Sequence, residues 1–261
     1  MNRALLVGIN AYPGQPLKGC VNDVVDVANF LVKNCGFTLD EIRLLVDERA
    51  TKKAIIERLG WLLTGAKSGD RILFHYSGHG VQLPSRNPQG EVDGLDEAIC
   101  PVDFDWTDEY AIRDKEFNKI FSAIPDGVEF IWISDSCCSQ DLSRMMMLMR
   151  KLIPPADIAW RIETANSKGI TPLGFEKVAS YLNLALISGC ESDKTSADAF
   201  INGKPNGALT YYLLQELSKP NGLQITLTEL VANVNAELRK ARFEQRPQLE
   251  GSDALKNQSF L

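Results

Sequence analysis

The chain has no long apolar run and no excess of basic charge. No stretch approaches the roughly 18 to 20 apolar residues that a membrane-spanning helix needs, so we expect no membrane span. The N-terminal segment lacks a small-residue cleavage site after its apolar residues, and we therefore expect no signal peptide. Lysine and arginine number 28 against 34 acidic residues, which gives a net charge of −6. This balance disfavours nucleic acid or an anionic membrane as a main partner.

A disulfide framework is also missing. The six cysteines are Cys20, Cys35, Cys100, Cys137, Cys138 and Cys190. An even number permits disulfides, but the spacings match no small secreted scaffold. We therefore interpret them as reduced thiols of a cytoplasmic protein. Hydrophobic residues make up 44% of the chain, and 261 residues can bury a large core, so neither metal nor disulfide is needed for folding.

Short apolar segments alternate with segments of helical periodicity. The predicted strands are 4–9, 42–46, 72–76, 128–134 and 182–187. The predicted helices run from residue 22 to a stop at Gly36, after an N-cap at Thr51, and over 115–123, 208–217 and 228–241. The alternation predicts one α/β domain over 1–261, with a mostly parallel sheet covered by helices on both faces.

Three segments do not follow this alternation. Residues 82–114 are polar and rich in Asp, Gly and Pro, and we expect them to leave the sheet. The methionine-rich segment 145–149 predicts a helix that packs in the core. Residues 153–172 contain prolines and mixed charge with weak periodicity, which favours a flexible connection.

Two residue types suited to nucleophilic chemistry follow two of the predicted strands. The only histidines, His75 and His79, lie at the end of one strand, and Cys137 and Cys138 follow another. Ligands of open parallel sheets bind beyond the carboxyl ends of the strands, so topology brings both types to one rim. A cysteine thiol becomes a good nucleophile when an imidazole takes its proton.

Three other interpretations of these residues stay open at this point. The cysteines and histidines can be ordinary buried structural residues. The four side chains can also ligate zinc, although adjacent cysteines are poorly spaced for a tetrahedral site. A redox pair is the third, although thioredoxin-like sites separate their cysteines by two residues.

Short motifs along nearly the whole chain help to decide between these interpretations. They are 4–10 (ALLVGIN), 17–23 (LKGCVND), 75–80 (HYSGHG), 93–97 (DGLDE) with Pro101 and Asp103, 135–137 (DSC), 188–190 (SGC), 195–198 (TSAD) and 207–210 (GALT). In this order they resemble the metacaspase and orthocaspase branch of the caspase-fold cysteine peptidases. The resemblance implies a six-stranded, mostly parallel sheet in one caspase-like domain. It divides the chain into a large-subunit-like region (about 1–150), a linker (about 151–175) and a small-subunit-like region (about 176–261).

The resemblance also assigns the catalytic residues. It places His79 and Cys137 at the dyad positions, and it makes His75 a strand residue. The backbone N–H groups of Gly80 and Cys137 are expected to hold the oxyanion. The family positions that line the specificity pocket fall on Cys20, Asp23, Ser77 and Asp135. Two carboxylates in a partly desolvated pocket favour a basic side chain, with arginine gaining bidentate hydrogen bonds over lysine.

The expected activity is therefore that of a cysteine endopeptidase acting on protein or peptide substrates with Arg or Lys before the cut. Some family members cut themselves between the two subunit regions. The candidate self-cleavage sites here are Arg150, Lys151, Arg161 and Lys168, which are basic residues in or near the predicted connection. The alternative function is a catalytically silent caspase-fold module that binds or signals.

Calcium is the one cofactor that the resemblance raises. Many metacaspases bind it through several aspartates, and Asp96 and Asp114 match two of those positions. Calcium prefers six to eight oxygen ligands, and Arg113 beside the site is unfavourable for a cation. We therefore expect no required cofactor and no strong calcium dependence.

Overall fold

A six-stranded sheet forms the centre of the computed structural model, which describes residues 1–86, 92–136, 150–167, 183–189 and 196–261. The strands are β1 (Asn2–Gly8), β2 (Ile42–Val46), β3 (Arg71–Ser77), β4 (Gly80–Arg86), β5 (Val92–Ile99), β6 (Ile112–Arg113), β7 (Glu129–Asp135), β8 (Ala185–Ser188), β9 (Asp198–Ile201), β10 (Lys204–Gly207) and β11 (Gln248–Glu250). The central sheet has the order β11-β8-β7-β3-β1-β2. Only β11 runs antiparallel to its neighbour, so the predicted mostly parallel sheet is confirmed.

Helices cover both faces of this sheet. They are α1 (Cys20–Asn34), α2 (Lys52–Leu63), α3 (Asp114–Phe121), α4 (Ala156–Ser167), α5 (Ala208–Leu217), α6 (Leu227–Lys240) and α7 (Asp253–Lys256). Alternation along β1 separates two cores. Leu5 packs on the side of α2 and α3, whereas Leu6 packs on the side of α1, α5 and α6. No helix in the described ranges is long and apolar enough to cross a membrane.

The predicted segments 4–9, 42–46, 72–76 and 128–134 are strands of the central sheet. Its fifth predicted strand begins later than expected, at Ala185. The segment 82–114 leaves this sheet as predicted, but parts of it form a separate antiparallel sheet of β4, β5 and β6. The methionine-rich segment 145–149 lies outside the described residues.

The prediction of a flexible connection over 153–172 is wrong for residues 156–167. Residues Ala156–Ser167 form α4 directly after two prolines. Proline is well tolerated at a helix start because its missing N–H has no partner there in any case. Trp160 on this helix is 65% exposed, so the apolar periodicity that reveals an amphipathic helix is weak.

Candidate active site

The candidate site lies where β3 and β7 end side by side. In this parallel pair Ser77 lies opposite Asp135, and both are fully buried. His79 and Cys137 each follow two residues later in the sequence. Cys137 and Cys138 lie outside the described residues, so the structure positions only the histidine half of the predicted dyad.

Hydrogen bonds and a ring contact fix the imidazole of His79. Its Nε2 lies 2.8 Å from the carbonyl oxygen of Gln15. That carbonyl can only accept, so Nε2 carries the proton and Nδ1 is the basic nitrogen. Nδ1 is buried and has no hydrogen-bond partner among the described residues. Gln15 could not be predicted from the sequence, because a backbone carbonyl can come from any residue type.

The ring of Tyr12 supports His79 from one side. The two ring centroids are 4.5 Å apart, and the His79 backbone N–H donates to the Tyr12 hydroxyl at 3.1 Å. That hydroxyl in turn lies 2.8 Å from the Cys100 carbonyl oxygen. A Cβ on Gly78 would lie 2.5 Å from the same hydroxyl, so glycine is needed for this close approach.

Burial also sets the charge state of His79. Desolvation lowers its pKa to about 4, while the backbone groups of Gln15 and Arg150 oppose the shift. The imidazole is therefore neutral at pH 7, as a general base requires. His75 is a buried residue of β3, as predicted, and its Nε2 lies 3.1 Å from the Thr210 hydroxyl. Burial lowers the pKa of His75 to about 4 as well.

The predicted pocket residues meet beside this histidine. The Ser77 hydroxyl donates to the Asp23 carboxylate at 2.7 Å. Asp135 accepts hydrogen bonds from Ser196 at 2.6 Å and from the Thr210 hydroxyl at 2.8 Å. Cys20 is fully buried at the start of α1, where desolvation raises the pKa of its thiol above the usual range. Its thiol is therefore protonated and packs as an apolar group.

A guanidinium of the chain itself fills this pocket. Arg150 is completely buried, and its Nη1 donates to the Ser77 hydroxyl at 2.6 Å and to the Asp135 carbonyl at 3.0 Å. Its Nη2 donates to the Asp23 carboxylate at 2.7 Å. Buried arginines need such partners, because an unpaired charge in the interior is strongly unfavourable.

The backbone of Arg150 lies at the predicted oxyanion site. The Gly80 N–H donates to the Arg150 carbonyl oxygen at 3.1 Å, and the Arg150 N–H donates to the Ser196 carbonyl at 3.2 Å. Gly80 also forms a parallel bridge with Lys151. The carbonyl of the residue whose side chain fills the pocket is therefore bound by a predicted oxyanion donor.

Asp198 completes the acidic surroundings and was missed from the sequence. Its carboxylate lies 3.2 Å from Arg150 Nη2. Three carboxylates thus face one guanidinium, and the pKa of Asp23 is raised to about 6 by burial and by Asp135, against the lowering effect of Arg150. Asp198 ends the 195–198 motif, but the sequence assigns it no role, and only the tertiary fold brings it to the start of α1.

The other candidate self-cleavage residues are placed differently. Lys151 follows Arg150 and is half-buried, and Arg161 lies half-buried on α4. Lys168 lies outside the described residues. Of the four candidates, only Arg150 is bound in the pocket in the described structure.

The two calcium candidates do not form a fitting cation site. Asp96 already accepts from Arg113 at 3.0 Å and from Lys115 at 3.1 Å. Burial and Asp96 raise the pKa of Asp114 to about 6. The described residues contain no cluster of three metal-ligating side chains. Two protein cations occupy the carboxylate oxygens that calcium would need.

Known proteins resemble this chain along most of its length. The family profile "Metacaspase, peptidase C14 domain" matches residues 2–146. Metacaspase-1 of Lodderomyces elongisporus is 31% identical over 96% of this chain and 64% of its own length. Metacaspase-1B of Aspergillus clavatus is 30% identical over 97% of this chain and 70% of its own length. The chain thus spans roughly two thirds of each of these relatives.

Solved structures share the fold. A protein from Geobacter sulfurreducens superposes with a TM-score of 0.72 at 26% identity, covering 99% of this chain and 97% of that one. Caspase-1 from Spodoptera frugiperda superposes with a TM-score of 0.61 at 13% identity, covering 96% and 86%. At that identity the likeness to the caspase concerns the fold alone.

Proposed function

Because this chain belongs to the metacaspase family of C14 cysteine peptidases, we propose that it hydrolyses peptide bonds after arginine or lysine, with His79 and Cys137 as a dyad. In this mechanism Nδ1 of His79 takes the thiol proton of Cys137. The thiolate sulfur then attacks the backbone carbonyl carbon of the Arg or Lys residue before the cut. The carbonyl oxygen becomes an oxyanion, which the N–H groups of Gly80 and Cys137 stabilise.

Collapse of this intermediate completes acylation. The carbon–nitrogen bond breaks, and His79 returns the proton to the leaving amine. Water, deprotonated by the same imidazole, then hydrolyses the thioester and releases the new carboxylate. The neutral state of His79 supports this role, because an imidazole that is already protonated cannot accept the thiol proton.

The observation that carries the proposal is the position of Arg150. Its guanidinium lies between Asp23 and Asp135 while its carbonyl oxygen accepts from Gly80. One arginine thus contacts both the predicted pocket residues and a predicted oxyanion donor. This is the arrangement that the mechanism requires of a residue before the cut.

Fluorogenic tripeptides ending in Arg, Lys or Asp test the activity. We expect cleavage after Arg, slower cleavage after Lys and none after Asp. Cys137→Ala should abolish cleavage, whereas the neighbouring variant Cys138→Ala should retain it. Cleavage that survives in Cys137→Ala contradicts the dyad. If no peptide is cleaved and a thiol-directed probe leaves Cys137 unlabelled, the protein acts as a silent binding module.

We further propose that the bond between Arg150 and Lys151 is the self-cleavage site. Two observations support this choice: the Arg150 side chain lies in the pocket, and beyond the bond the Ile153 N–H donates to the Gln15 side chain at 2.8 Å. Attack by Cys137 would release Lys151 as a new N-terminus and leave Arg150 as a new carboxyl terminus. Until Arg150 leaves the pocket, every external substrate competes with it.

A further inference from the structure

Asp198 reaches the pocket from a part of the chain remote from the other carboxylates. It begins β9, in the antiparallel β9–β10 hairpin, and its side chain is only 9% exposed. Asp23 comes from α1 and Asp135 from β7. The hairpin therefore supplies a third wall to the pocket.

The carboxylate of Asp198 is held in a fixed position. One oxygen accepts from the Gly19 N–H at 2.9 Å, and the other accepts from the Lys18 N–H at 2.8 Å. The first of these oxygens also faces Arg150 Nη2 at 3.2 Å. A carboxylate anchored by two backbone donors needs no reorganisation to receive a guanidinium.

The two ends of the guanidinium have separate acceptors. Nη1 contacts Ser77 and Asp135, whereas Nη2 lies between Asp23 and Asp198. A planar fork presents donors in both directions at once. The ammonium of lysine is a single point of charge and cannot reach both sets.

Gly207, the cross-strand partner of Asp198, brings the backbone of the same hairpin close to the guanidinium. A Cβ on Gly207 would lie 2.5 Å from Arg150 Nη1 and 2.2 Å from the Asp135 carboxylate. The Gly207 N–H also donates to Asp23 at 2.9 Å. The hairpin that begins with Asp198 therefore ends with the backbone against which the guanidinium lies.

We propose that Asp198 is a specificity-determining residue of the pocket, which holds the second guanidinium nitrogen and thereby makes the site prefer arginine over lysine. This inference rests on the proposed function. The β9–β10 hairpin would then contact the side chain before the cut directly and help to select it.

The test is the ratio of kcat/KM for matched Arg and Lys peptides in wild type and Asp198→Asn. Asparagine keeps the size and one acceptor but removes the charge. Because Arg150 competes equally with both peptides, the ratio reports the pocket even where the absolute rate changes. Asp26→Asn is the control, since Asp26 pairs with Lys204 of the same hairpin at 2.7 Å outside the pocket.

We expect Asp198→Asn to lower the Arg-to-Lys ratio by about 10- to 100-fold, the factor that one hydrogen bond between charged groups corresponds to. Asp26→Asn should leave the ratio unchanged. Thermal melting shows whether the Asp198→Asn protein is folded. If it is folded and its Arg-to-Lys ratio of kcat/KM is unchanged, the inference is overturned, but the proposed peptidase function still holds. Loss of all peptide cleavage in wild type overturns the proposed function instead.

A measurement on wild type alone covers the case in which Asp198→Asn does not fold. Peptides ending in Nω-methylarginine keep the charge but lack one donor. We expect them to be cleaved at least about tenfold more slowly than Arg peptides, since both guanidinium nitrogens have close acceptors. Equal cleavage of Arg, Lys and Nω-methylarginine peptides would contradict the proposal that Asp198 makes the pocket prefer arginine.

Discussion

The pocket contains more acidic side chains than basic ones. One guanidinium, from Arg150, faces the carboxylates of Asp23, Asp135 and Asp198 in a region closed to solvent. Burial and the neighbouring carboxylate keep the pKa of Asp23 raised to about 6 although Arg150 lowers it. The site therefore binds a cation most strongly when Asp23 is ionised.

The ionisation of Asp23 predicts how kcat/KM changes at acidic pH. Asp23 is a carboxyl, so it loses its negative charge as the pH falls through about 6. We expect kcat/KM for an Arg peptide to fall below that pH, mainly through a higher KM. His79 stays neutral to about pH 4 and does not cause the loss. Steady-state rates between pH 4.5 and 8 measure this, and a fall confined to kcat would contradict it.

Tyr12 is a positioning residue for the imidazole. Tyr12→Phe keeps the ring beside His79 but removes the acceptor of the His79 N–H. We expect kcat to fall about 5- to 150-fold with KM nearly unchanged, since an unsatisfied buried donor costs about 1–3 kcal/mol. Tyr211→Phe, whose hydroxyl bonds only Asn202 among the described residues, is the control. Equal loss in both variants would refute the role of Tyr12.

Whole elements, in particular α1 and the central sheet, determine where Asp23 lies. α1 crosses β1 at Gly8, where a Cβ would lie 2.5 Å from the Cys20 carbonyl oxygen and 2.8 Å from Val24. Gly8→Ala should destabilise the fold by about 1–3 kcal/mol, because the helix must move away from the sheet. Urea unfolding measures this change.

Gly60→Ala is the matched control for that substitution. Gly60 lies in α2, and nothing lies within 4 Å of the position of an added Cβ. Alanine is the better helix former, so this variant should stabilise the protein by up to about 1 kcal/mol. If both variants destabilise equally, the close approach of α1 to the sheet is not the cause.

The ion pairs between β5, β6 and α3 lead us to expect peptide cleavage that does not depend on calcium. Asp96 of β5 is paired with Arg113 of β6 and with Lys115 of α3, so these elements are joined by protein cations. We expect neither chelator nor added calcium to change peptide cleavage by more than about twofold. Magnesium at equal ionic strength is the control. Activity that is lost in chelator and restored by calcium alone would contradict this account.

Sequence patterns predict the elements with local signals well and those without such signals poorly. β1, β3 and β7 are continuous apolar runs because both faces are covered, and this makes them recognisable. α4 follows two prolines with Trp160 exposed, so its periodicity is weak. The β9–β10 hairpin is short and carries mixed polarity, which gives no strand signal.

The candidate site shows the same limit. Local motifs and a family resemblance predict His79, Asp23 and Asp135. Arg150 appears in sequence as one of four basic residues, and only its burial distinguishes it. Asp198 is 175 residues from Asp23 in the chain, so no local pattern links them. Contacts over such separations come from packing and not from propensity.

At the scale of the whole molecule, both sides of the proposed cut contribute to one sheet. β8 and β11 pair beside β7, and α5 and α6 pack on the same face as α1. The backbone of Gly207 bonds Asp23, and Asp198 bonds the backbone of Lys18. We therefore expect the fragments 1–150 and 151–261 to stay associated after cleavage and to elute together in size-exclusion chromatography without denaturant. Separation of the two fragments would contradict this.

Intact-protein mass spectrometry of wild type, Cys137→Ala and Arg150→Ala during incubation shows whether Arg150 is held as a substrate. We expect wild type to yield fragments ending at Arg150 and beginning at Lys151, and Cys137→Ala to stay whole. Arg150→Ala should lose this cut, whereas Arg161→Ala, which removes an arginine outside the pocket, should keep it. A cut at this bond in Cys137→Ala, or a wild-type chain that cleaves Arg peptides while staying whole, would contradict the claim that Arg150 is held as a substrate.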